Sequence, residues 1–192
     1  MSERVIQARV RRGADEEHER AIQIAMETFA DPGISLLQQL KIEAQILVPV
    51  LEALRAELGK DRADRIVTTA VREWRREAFL RAGALMPGTP KQKWEAFWAT
   101  SQNIIGDDVD FKWLRQESDA LDVDITGCRY ADLFHSLGEP ELGAALACEC
   151  DNHMADVVGP ELEYRRTQTI MTGASCCDFR YRLHFDQSEA SG

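Results

Sequence analysis

Three segments between positions 148 and 180 carry most of the reactive side chains: Cys148-Glu149-Cys150-Asp151-Asn152-His153, Arg166-Thr167-Gln168-Thr169-Ile170 and Cys176-Cys177-Asp178-Phe179-Arg180. They hold four of the five cysteines and one of the four histidines. Burying unpaired polar groups costs stability, so such a density points to chemistry. A thiol becomes a nucleophile when a base or positive charge lies beside it. Cys177 is the first candidate, with Arg166, or His153 from a preceding helix, to activate it. The alternative is that Cys177 fills the apolar face of a strand.

At helical spacing Cys148, Asp151 and Ala155 share one face, and Glu149, His153 and Asp156 another. The second set reads as a carboxylate orienting an imidazole, or equally as a solvent-exposed salt bridge. His153 is the strongest general base of the four histidines, because His18 lies in a charge run and His184 on a polar strand face. Arg166 falls on a largely apolar face, where a guanidinium needs an anion. That anion is a substrate carboxylate held by two parallel hydrogen bonds, or an internal acid such as Glu149 or Asp151. No cofactor is expected. The alternative is zinc or manganese held by Cys148, Cys150, Cys176 and Cys177 with Asp151 and His153. Cys-x-Cys and Cys-Cys are not the usual spacing for that.

The elements that position these residues read as α+β, a helical N-terminal half packed on a small antiparallel sheet. One domain over 1–192 is expected, helical to about 105 and mixed from about 106 to 186. Helices are predicted from Glu16 to Phe29, along Leu37, Leu40, Ala44, Leu47, Leu51, Leu54 and Leu58, and from Asp61 to near Gly83. Pro49 should kink or break the second. The third should turn Ile66, Val67, Ala70, Val71 and Trp74 inward. Thr89-Pro90 opens a helix carrying Trp94, Phe97 and Trp98; the tryptophans suit core packing better than a pocket wall. Leu121, Val123 and Ile125 alternate as a half-buried strand, with Lys112 to Glu117 as its neighbour. Short helices follow from Tyr130 to Gly138 and from Pro140 toward Asp156.

The chain then forms a hairpin, Tyr164–Met171 against Cys176–Phe185. A four-residue turn pairs Ile170 with Cys177 and Arg166 with Tyr181, so that Arg166, Gln168 and Cys177 share the apolar face. Thr167 and Thr169 then face away, and reaching one pocket with all of them requires a bulge or a site wrapped around the sheet edge.

The net charge of −10 argues against nucleic acid or an anionic membrane as partner. No apolar run approaches a membrane span or a signal peptide, so a cytoplasmic location is expected. A homo-oligomer is allowed.

Cys148-Glu149-x-Asp151, Arg166-Thr167-x-Thr169-Ile170, Gly173 and Cys177-Asp178-Phe179-Arg180, taken in order, make the chain resemble the L-2-aminothiazoline-4-carboxylate hydrolase family. The resemblance covers the last fifty or so residues best. It implies a small cytoplasmic hydrolase of a C–N bond that opens a carboxylated thiazoline, cyclic amidine, imide or amide at its C=N-type carbon. Under it Cys177 attacks, His153 moves protons, and Asp151 or Glu149 orients the imidazole, with Cys148 alongside. Arg166 holds the carboxylate, while Thr167, Thr169 and Asp178 bind polar substrate atoms. The rivals are a metal-dependent hydrolase and a non-catalytic small-molecule sensor.

Overall fold

A computed structural model describes Arg20, Asp31 and residues 33–184. The helix expected over Glu16–Phe29, apart from Arg20, lies outside the described residues, as does Phe185. Helix α1 spans Leu36–Leu58 and starts in a capping box, with the Ser35 hydroxyl on the Gln38 N–H and the Gln38 side chain on the Ser35 N–H. Its buried face is Leu40, Ala44 and Leu51. The helix does not break at Pro49. That residue sits on the exposed side, where water can serve the carbonyl its missing N–H leaves unbonded.

Gly59, at φ +79°, ends α1 and leads directly into α2, Lys60–Leu85. Gly59 is therefore the N-cap, and Asp61 lies in the first turn. The buried arc of α2 is Ala63, Asp64, Val67, Thr68, Val71, Arg75, Ala78, Phe79 and Ala82. Val67 and Val71 point inward as expected. Ile66, Ala70 and Trp74 are exposed, a correction with a clear cause: the inward arc carries charged residues whose partners make burial affordable. Arg55 from α1 bonds Asp64 at 2.6 Å and chelates Glu139 at 2.5 and 2.8 Å. Arg75 reaches Glu43 at 2.8 Å.

Helix α3, Pro90–Ile105, opens with the expected Thr89 cap and Pro90 in its first turn. Strands β1 (Val109–Gln116) and β2 (Ala120–Cys128) form a hairpin, and α4 (Arg129–Ser136) follows. The next stretch changes helical pitch three times: a short turn α5 (Pro140–Gly143), a π segment Ala144–Cys148, a 3₁₀ segment Glu149–His153, and α6 (Met154–Val158). Strands β3 (Leu162–Arg165) and β4 (Cys177–Leu183) complete an antiparallel sheet of order β1-β2-β4-β3.

The fold is α+β. Leu121, Val123 and Ile125 pair with Tyr181, Phe179 and Cys177, so both strands turn one apolar face toward the helices. The β3–β4 hairpin differs from expectation by two residues: Tyr164, not Arg166, opposes Tyr181. A slip of two preserves faces, so Arg166 keeps its side of the sheet. The shift arises because the strand ends at Arg165 and the connection runs from Arg166 to Cys176, including a 3₁₀ turn at Ile170–Thr172.

One core packs Phe79, Trp94, Phe97 and Met154 on Leu121 and Tyr181. A second joins Leu40, Leu51, Phe134, Leu142, Leu146 and Met171.

Candidate active site

Between these cores lies a cavity of about 160 Å³. Its floor is the apolar face of the sheet, with Val123, Ile125, Cys177 and Phe179. One wall is α3 and the start of β1; the opposite wall is the segment of changing pitch, with Cys148, Cys150 and Asp151. Regular helical bonding fails at that segment, and its carbonyls take side-chain donors instead. The Cys150 thiol donates to Ala147 O at 3.2 Å, and Arg166 Nη2 donates to Cys148 O at 2.9 Å. Irregular pitch of this kind recurs at functional sites.

Arg166 leaves the end of β3 and enters the cavity with its side chain 8% exposed. Its Nη1 donates to Asp151 Oδ2 at 2.6 Å, and its guanidinium lies over the floor, 5.3 Å from the ring centre of Phe179. Burial pushes the Asp151 carboxyl up to about 6, with Arg166 pulling the other way. Of the two partners proposed for Arg166 from its spacing, the internal acid is the one in place.

Cys177 is 6% exposed, and its sulfur accepts the Ile170 N–H at 3.2 Å. Burial raises its thiol pKa, against the Ile170 bond and the field of Arg166. Burial also pushes Cys150 up to about 12 and Cys128 up to about 11, and lifts Cys148 further. All four of these thiols line the cavity, and they rest protonated at neutral pH. Cys128 was not singled out by sequence. Continuing the alternation of Leu121, Val123 and Ile125 puts Gly127 on the inner face; a bulge at Thr126, where Asp110 pairs with Gly127 but Phe111 with Ile125, shifts the alternation and brings Cys128 inward opposite Val109.

The remaining candidates sit around the cavity and do not line it. Thr167 N–H, Gln168 N–H and the Thr167 hydroxyl all donate to the Asp178 carboxylate, at 2.9, 2.9 and 2.6 Å. Burial would raise Asp178, but these donors outweigh it and hold the carboxyl below its ordinary value. Thr169 caps the 3₁₀ turn through Thr172. These three residues brace the loop that delivers Arg166. Glu149 is ion-paired with Arg72 instead of His153. His153 bonds Asp156 at 2.9 Å, a partner on its predicted face. Cys176 accepts from Gln168 Nε2 at 3.0 Å. Among the described residues no three of His, Cys, Asp and Glu come together as a group that could hold a metal ion. Trp94 is core, as expected, whereas Trp98 lines the cavity.

The model of the L-2-amino-thiazoline-4-carboxylic acid hydrolase family matches residues 39–181, a stretch that includes every cavity residue named above. No curated protein matches the chain.

Proposed function

Since the chain belongs to the L-2-amino-thiazoline-4-carboxylic acid hydrolase family, we propose that it opens the ring of a small cyclic amidine of the thiazoline-carboxylate type by hydrolysing a C–N bond. The observation that carries this reading is the convergence of Cys177, Asp151 and Arg166 on one cavity.

With its pKa near 6, Asp151 is largely ionised at neutral pH and matched to proton transfer in either direction. A resting Cys177 thiol attacks the amidine carbon as its proton passes to Asp151. The new C–S bond leaves that carbon tetrahedral. The ring C–N bond then breaks, and the nitrogen departs as an amine with the proton returned by Asp151. Water adds to the carbon held on Cys177 and displaces the thiol, so the sum is substrate plus one water. Arg166 keeps Asp151 ionised and aimed, taking the place of the His153–carboxylate pair expected from sequence.

Incubation with 2-amino-thiazoline-4-carboxylate should yield a product heavier by one water that bears a new primary amine, read by mass spectrometry and an amine-selective reagent. Cys177→Ala should abolish turnover with the fold intact by circular dichroism. Retention of near-normal rate would remove Cys177 as nucleophile and leave Asp151 activating water directly.

A further inference from the structure

Two guanidinium groups, Arg75 and Arg166, and one carboxylate, Asp151, are the charged side chains that line the cavity, in a chain whose net charge is −10. Arg75 is held by Glu43 at 2.8 Å, from outside the lining. Arg166 is divided between two partners. A guanidinium carries five N–H donors in one planar fork. Asp151 takes one from Nη1, and Cys148 O takes one from Nη2. The side chain is only 8% exposed, and a buried cation with donors to spare suits a planar anion.

Asp151 and a second carboxylate cannot both draw fully on that one cation. Carboxylates that share a site raise each other's pKa. Among the described residues, the other ionisable groups that feel Asp151 are the Cys148 and Cys150 thiols on its own segment, Cys177 and Tyr181 of β4, and Tyr164 of β3. Burial raises every one of them, so they stay neutral near pH 7 and none substitutes for Arg166.

Resting on the hydrolase reading above, we infer that a substrate carboxylate binds the Arg166 N–H donors left over from Asp151 and Cys148 O, and that this sharing couples substrate selection to the base. The carboxylate is the group recognised, and the amidine carbon lies toward Cys177. When the site fills, Asp151 gives up part of its hold on Arg166 and becomes a stronger base for the Cys177 proton. Arg166 is then both the selector and the regulator of proton transfer.

The test uses 2-amino-thiazoline-4-carboxylate and its 4-carboxamide, which has the same number of heavy atoms and no charge. In wild type, kcat/KM should favour the carboxylate by at least about tenfold, roughly 1.4 kcal/mol. The acid limb of kcat should lie at higher pH for the carboxylate than for the carboxamide. Calorimetric titration in a Cys177→Ala background gives a readout free of turnover. Adding Asp151→Asn removes the competing anion, so the carboxylate should bind about fivefold tighter or more, and the carboxamide should not. Equal kcat/KM for the two compounds, coincident kcat limbs, or a folded double variant that binds the carboxylate no tighter would each overturn the inference and leave the hydrolase reading standing. If wild type opens neither compound, both fall together.

Discussion

Under the proposed mechanism Asp151 is the base and must be ionised, so kcat/KM should rise with pH through about 6 and level off above it. Asp151→Asn should remove that limb and most of the rate. Arg166→Gln withdraws the cation that opposes desolvation, so the limb should move to higher pH, whereas Arg166→Lys should hold it near its place. Lysine cannot serve Asp151 and Cys148 O with one planar group, and a loss of about 2–3 kcal/mol in transition-state stabilisation is expected, read from kcat/KM. The same carboxyl makes folding prefer acid. Its native pKa lies above the ordinary 3.8, so the native state binds more protons between 3.8 and about 6, and its contribution to stability falls as pH rises through that window. Sequence spacing brought Cys177, Arg166, Asp151 and Cys148 forward because each follows from strand alternation or helical steps. It could not assign Asp178, Thr167 and Thr169 to bracing, because their partners depend on where β3 stops.

Among the elements, α2 and α6 join backbone to backbone at Gly83. A Cβ on Gly83 would stand 2.7 Å from Val157 Cα, with backbone on the far side that cannot rotate away. Gly83→Ala should therefore cost about 1–3 kcal/mol in a denaturant titration. Arg55 ties the end of α1 to α2 and to the turn before α5. Asp64 and Glu139 are each 7% exposed, and Asp64 is also held by Lys60 at 2.5 Å, so Arg55→Ala strands the Glu139 carboxylate and should cost about 3 kcal/mol by the same measurement. The Thr89 cap was readable because it rests on one residue type in one local geometry. The inward face of α2 was not, because Asp64 and Arg75 look like surface residues until their partners from other elements are known. The π and 3₁₀ pitches of 144–153 have no residue signature at all; the carbonyls they free take the Cys150 thiol and Arg166, and the latter partner comes from far along the chain.

For the molecule as a whole, α+β architecture and the inner faces of β2 and β4 were legible from periodicity alone. The insertion of β4 between β2 and β3 was not, because a strand's alternation shows which face it buries and not which neighbours it takes. That order also governs the route to the native state. Arg180 and Asp124, paired across β2 and β4, are 56 residues apart in the chain, while α1 and α2 meet through the single residue Gly59. Local contacts form fast and distant strand pairings slowly. In stopped-flow refolding, far-UV circular dichroism should recover in an earlier phase than the fluorescence of Trp98 and Trp113, which touch each other over the sheet; coincident recovery would argue for a single concerted step. During synthesis β1, β2 and the helices emerge before their central strand, with Val123 and Ile125 still uncovered. The apolar residues of the cavity floor thus stay open to aggregation until β4 arrives, and crowding or heat in that interval should cost yield before it costs activity.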